Sequence, residues 1–277
     1  MSSTSAGPSI SDAAWPRTGA ATAVVPASPG WSAASGRIEA LVCDSAHEAA
    51  WAERNLHERS LPPWNRARGG LESPLHIVLD TSPRSPRVRA VHQPVPDPTT
   101  RVFGPYLGGA RARLAVAALE RVHPVGDHAV LTAAGRDLAE RRRVAAPLPE
   151  LVATITAVLD REPTAVAHFL AELAARRDAA AADLRFEAAG RLQEELAAAE
   201  WIVAPQRVTC PGGGDADPAA WTDGTLVRLQ VRDGRLHGWH QEPTQLVGSG
   251  ANGPASWTSF TSRNAALAAD LARLPVL

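Results

Sequence analysis

The sequence predicts an α+β protein: a strand–helix–strand–strand module with a helix behind it, then a helical hairpin, then a small mixed C-terminal unit. Three observations lead there. The stretch RIEALVC (37–43) is apolar and β-branched, and it runs into Ser45 and Glu48, the pattern of a capping box that opens a helix. Ala- and Leu-rich runs with apolar residues at helical spacing follow one another between 149 and 201. Further on, LVRLQVRDGRLHGWH alternates on both sides of Asp233-Gly234, the signal of a two-residue hairpin.

Taken in order, residues 1–36 are rich in Ser, Ala, Pro, Gly and Thr and read as a flexible leader with one weak strand at ATAVV. The module spans 37–123. Its first helix runs from Ser45 to about Arg59 and stops at Pro62-Pro63. PLHIVLD (74–80) and RVRAVH (87–92) read as two strands joined by TSPRSP. GARARLAVAALERVH (109–123) has helical spacing at Leu114, Ala117, Ala118 and Val122. Residues 124–162 form a basic connector ending in a helix over 149–160. The hairpin occupies 163–203, with helices over 164–181 and 185–201 joined by a short turn, so the two run antiparallel. Residues 204–277 carry the loop CPGGGDADP, the β-hairpin, a second loop GSGANGPAS, and a closing amphipathic helix, SRNAALAADLARL.

Composition removes several chemistries. All 28 basic residues are Arg, so a lysine Schiff base, a phosphate-loop lysine and a Ser-Lys dyad are excluded. Cys43 and Cys210 have no CxxC spacing, which argues for a reducing compartment and against a zinc ribbon or iron–sulfur cluster. The nine histidines form no HExxH, there is no Gly-x-Ser-x-Gly elbow, and PGGGDADP lacks the strand and helix that a phosphate cradle needs. Trp64, Trp201, Trp239 and Trp257 could stack bases, but with so few other aromatic residues they are expected to be the main large core residues. No apolar run reaches the length of a membrane span and no signal peptide is visible, so a cytoplasmic protein without membrane contact is expected. Net charge is −1, yet from Arg54 to Arg143 there are 15 Arg against 8 acidic residues. That segment is expected to face phosphates, and Arg54, Arg66, Arg68, Arg111 and Arg113 are its candidate nucleic-acid contacts.

The order of three motifs adds a family resemblance. IEALVCDSAHEAAWAERNLHERSLPPWN, then FGPY (103–106), then LRFEAAGRLQEEL (184–196), resembles the UvrC excinuclease family over about residues 37–203. The resemblance implies a GIY-YIG-like nuclease module followed by a UVR-type helical hairpin, and hence a role in nucleotide excision repair. It assigns Glu53 as the carboxylate for Mg2+ or Mn2+, with His57 and Asn65 in support. It assigns Phe186, Glu187, Ala189, Leu192 and Leu196 to docking on a UvrB-like helicase. Actinobacterial relatives join the same module to a DEDD exonuclease, and no such domain is present here.

The departures are on the catalytic side. The family's two tyrosine-bearing strands and catalytic Arg have no counterpart: the single tyrosine, Tyr106, belongs to FGPY, and Arg17 is the only arginine before Arg37. Glu53, placed on or beside the buried stripe of its helix through its spacing from Ala49 and Leu56, is then either a metal ligand or an ion-paired remnant. The expected protein is a UvrC-like relative without autonomous catalysis that binds DNA, a repair helicase, or both. The rival readings are a GIY-YIG endonuclease completed by another chain or domain, and a helical-hairpin adaptor that does not bind DNA.

Overall fold

A computed structural model describes residues 21–23, 39–60, 72–82, 85–128 and 146–274. Most of the leader, Pro62, Pro63, Asn65, Arg66, Arg68 and residues 129–145 of the basic connector lie outside the described residues. The architecture is α+β, as expected, with antiparallel sheets and six α-helices among the described residues.

Strand β1 (Ala21–Ala23) pairs with β2 (Leu41–Cys43). Helix α1 (Ala46–Ser60) follows, and the capping box forms in part: Glu48 N–H donates to Ser45 Oγ at 3.0 Å. The glutamate side chain reaches back to the N–H of Asp44, one residue earlier than the box requires. Strands β3 (Leu75–Asp80), β4 (Arg87–Val91) and β5 (Thr100–Tyr106) form an antiparallel sheet in the order β4-β3-β5. The third of these was not legible, because FGPY breaks the alternation with Gly104 and Pro105. Helix α2 (Gly109–Val122) packs on β3 and β4, and a 3-10 turn covers Val125–His128.

Helix α3 (Leu148–Leu159) precedes the hairpin of α4 (Pro163–Ala182) and α5 (Phe186–Val203). Pro163 opens α4 where its missing N–H leaves no bond unmade. Both α3 and α4 close in the same way. In α4, Arg185 N–H reaches Ala180 O at 2.8 Å and Leu184 N–H reaches Ala181 O at 3.0 Å, a Schellman motif. The residue that must turn left-handed is Arg161 (φ 63°) after α3 and Leu184 (φ 59°) after α4, where glycine is the usual choice.

In the C-terminal unit, β6 (Ala219–Thr222), β7 (Thr225–Arg232), β8 (Arg235–Pro243) and β9 (Ser249–Asn252) form a sheet in the order β8-β7-β6-β9, covered by α6 (Ala255–Ala272). The hairpin turn at Asp233-Gly234 is as predicted, but GSGANGPAS, expected as a loop, supplies β9. Gly250 explains the misreading. A Cβ there would stand 2.2 Å from Trp221 Cζ2, so the residue is glycine to let a strand lie against an indole.

Apolar burial divides into two clusters that do not follow chain order. One joins β3–β5, α2, α3, α4 and α5 through Ile77, Leu79, Leu119, Ile155 and Phe169. The other joins β2 and α1 to the C-terminal unit through Leu41, Trp51, Val227, Leu236 and Phe260. The module read over 37–123 therefore contributes to both, and α1 packs against β8.

Candidate functional site

The inward face of α1 carries Glu48, Trp51, Ala52 and Asn55, which recur at intervals of three and four residues and are all buried. Glu53 follows Ala52 and so turns outward: its side chain is 64% exposed, with Oε1 3.8 Å from His57 Nε2. This corrects the expected placement on or beside the buried stripe. Ala49, on which that placement leaned, is only half-buried, and the stripe lies one position away. Arg54 does not pair with Glu53. It is held by Glu58 (Nε to Oε1, 2.8 Å), by the backbone oxygen of Glu72, and over the Trp51 ring.

The buried carboxylate of α1 is Glu48. One oxygen accepts the N–H of Asp44 at 2.5 Å and the other the N–H of Arg207 at 2.8 Å. Burial raises its pKa, and those two hydrogen bonds oppose the rise. Beside it, Asp44 accepts from Arg207 Nη2 and Arg263 Nη2, both at 2.5 Å, and each guanidinium lies 5.5 Å from the Phe260 ring. Both carboxylates have their oxygens engaged, so this is a clamp between α1 and the C-terminal unit and not a metal site. Burial, with Glu48 and Asp44 adding to it, pushes the Cys43 thiol up to about 12, which leaves no thiolate for nucleophilic chemistry.

His47 forms a second junction, between the two apolar clusters. Its Nε2 accepts Trp51 Nε1–H at 3.1 Å and the N–H of Leu107 at 3.3 Å, and its ring stacks on Tyr106 (5.7 Å, 13°) and lies 4.4 Å from Trp201. Two donors on Nε2 require the ring proton on Nδ1. Burial, then Arg161 and Arg111, lowers the pKa of His47 to about 4. The tyrosine of FGPY is thus a buried packing partner of this histidine.

Strand β2 has one edge on β1. The other is closed by side-chain amides: Asn264 accepts Val42 N–H at 2.7 Å and donates to Val42 O at 3.1 Å, and Gln241 donates to Ala40 O at 3.3 Å. Among the described residues, no three His, Cys, Asp or Glu side chains gather to hold a metal ion. Mg2+ is commonly held by one or two carboxylates with waters completing its shell, and of the predicted ligands Glu53 presents an exposed carboxylate beside His57.

Comparison with known proteins meets this geometry at the level of sequence. UvrABC system protein C of Desulforudis audaxviator is 28% identical over 228 residues, which is 76% of this chain and 36% of that one. The protein of the same name from Alcanivorax borkumensis is 29% identical over 217 residues, 73% of this chain and 35% of that one. That of Geobacter metallireducens is 28% identical over 239 residues, 78% of this chain and 38% of that one. The chain is similar to these UvrC proteins over about three quarters of its length. It spans about a third of the length of these relatives. No family model matches. No solved structure matches either.

The hairpin divides its predicted docking residues between inside and outside. Leu192 and Leu196 are buried against the rest of the chain, Ala189 is half-buried, and Glu187 is exposed. At the tip, Leu184 is 73% and Phe186 67% exposed. Glu195 is buried and bound by Arg121 through two 2.6 Å hydrogen bonds, which fixes α5 on α2. Of the predicted arginines, Arg111 lies over the Trp201 ring at 6.0 Å and Arg113 is exposed. The signal for Leu184 was in the sequence, since it precedes the helix where its partners turn inward. Arg207, Arg263 and Asn264 carried no local signal, because their partners lie about 160 to 220 residues away.

Proposed function

We propose that this chain is a UvrC-type protein of nucleotide excision repair, acting in the cytoplasm, that docks a UvrB-like helicase through the tip of its helical hairpin and binds DNA without cutting it unaided. The observation that carries this is the pair Leu184 and Phe186, two large apolar side chains exposed at the turn of the hairpin, where Leu184 is held in a left-handed backbone conformation. An apolar tip on a rigid, ion-paired hairpin is a surface awaiting a partner. The single tyrosine of this sequence, Tyr106, is buried against His47, which supports the reading without autonomous catalysis.

The test is twofold. Capture of a UvrB-like helicase from a purified mixture is expected to fall at least tenfold in Phe186→Ala, with the fold retained. Nicked, branched and damaged duplexes incubated with Mg2+ or Mn2+ are expected to stay intact. Cleavage lost in Glu53→Ala would instead establish the endonuclease reading, in which another chain or domain completes the site. Exposure of the Glu53 carboxylate favours that alternative. Helicase capture with no DNA binding at low salt would leave the adaptor reading.

A further inference from the structure

The sheet β4-β3-β5 has two faces, and among the described residues a helix packs on one of them. Register sets Leu75, Ile77 and Leu79 of β3 beside Val88 and Ala90 of β4 and Phe103 of β5, all in the apolar cluster beneath α2. Alternation along the strands sends the next residues to the opposite face. There Val78 stands between Arg89 and Val102, and Asp80 between Arg87 and Thr100. Val78, in the central strand, is buried, while its cross-strand neighbours on this face, Arg89 and Val102, are exposed. Val102 is 44% exposed, and Arg87 and Arg89 are both exposed.

The two arginines differ from others of the basic segment. Arg54, Arg101 and Arg121 are engaged with Glu58, Thr156 and Glu195. Among the described residues, Arg87 and Arg89 have no ion pair and no side-chain hydrogen bond. The carboxylate on the same face, Asp80, is nearly buried and accepts the N–H of Ser82 at 3.0 Å. Residues two apart on an antiparallel strand stand about 7 Å apart. Adjacent phosphates of one DNA strand, which advance about 3.4 Å along the helix axis and also rotate around it, stand at a comparable separation. A guanidinium offers paired N–H donors suited to a phosphate, and an exposed valine beside it carries no competing charge.

We infer that the open face of this sheet is a DNA-backbone surface on which Arg87 and Arg89 each hold a phosphate; the inference rests on the DNA-binding part of the proposed function. Neither arginine was among the candidates from sequence, although RVRAV displays them with a period of two.

The experiment uses the full chain and fluorescein-labelled single-stranded and duplex DNA, with binding followed by anisotropy between about 50 and 200 mM NaCl. The double variant Arg87→Gln/Arg89→Gln is expected to lower the slope of log affinity against log salt by about 2 and to weaken binding more than tenfold at low salt. A control, Arg185→Gln/Arg191→Gln, removes the same charge from the hairpin and is expected to keep the slope. If wild type binds DNA and the double variant matches it, this face is overturned while DNA binding stands. If wild type binds no DNA at low salt, the DNA reading itself falls and takes the inference with it. If polyglutamate displaces DNA at equal charge concentration, with the same loss in the double variant, the face is one for acidic protein, which also overturns the assignment. Unchanged thermal melting of both variants confirms that the fold is retained.

Discussion

Asn264 of α6 completes the edge of β2 by gripping the backbone of Val42, with its Oδ1 2.7 Å from the N–H and its Nδ2 3.1 Å from the carbonyl oxygen. A side-chain amide thereby supplies both bonds that a neighbouring strand would have made. An exposed strand edge is a template for pairing with another chain, and covering it removes that option. Asn264 is fully buried and also donates to Phe260 O at 2.9 Å, so the grip is rigid.

Asn264→Leu is expected to destabilise the protein by about 2–4 kcal/mol, because two backbone groups lose their partners inside the structure. Urea denaturation measures the loss, and amide exchange locates it: Val42 N–H should exchange at least a hundredfold faster. A cost under about 0.5 kcal/mol would show that the edge finds other partners.

Leu184→Gly should act in opposite directions on stability and on docking. A left-handed leucine costs about 1–2 kcal/mol, part of which glycine gives back in unfolded-chain entropy, so a net gain of about 0.5–1 kcal/mol is expected. Helicase capture should weaken in the same variant, since an exposed apolar side chain is lost. Paired denaturation and capture measurements check both, and loss of stability would refute the Schellman account.

His47 sets an acid limit. Its pKa falls from 6.5 unfolded to about 4 folded, so between those values the unfolded state binds more protons and stability drops as pH drops. The contribution is complete above about pH 6.5 and diminishes by up to about 3 kcal/mol towards pH 4. His123, lowered to about 4 by burial and then by His168 and Arg176, acts in the same direction, so the variant is what isolates His47. His47→Gln keeps an acceptor for Trp51 and Leu107 and should flatten the dependence. Equal slopes in wild type and variant between pH 7 and 5 would sink the assignment.

Much of the fold was legible because its signals are local. The capping pair at Ser45 and Glu48, the run after Pro163 and the Asp233-Gly234 turn each depend on neighbours a few residues away. The candidate site was legible only as identities. Glu53 could be named from its motif, but whether it faced inward depended on which neighbour the helix met, and α1 lies against β8. Strand β9 hid behind glycines whose purpose is visible only beside Trp221.

By itself, the sequence determined the α+β class, most of the order of helices and strands and the UvrC-like motifs, because periodicity, caps, turns and residue identity are written along the chain. Tertiary structure alone decided that Glu48 and not Glu53 is the buried carboxylate, that Asn264 takes the place of a strand beside Val42, and that Leu184 and Phe186 stand outside while Leu192 and Leu196 turn in. The reason is distance along the chain. Charges and edges are satisfied by whatever the fold brings to them, and here those partners come from about 160 to 220 residues away.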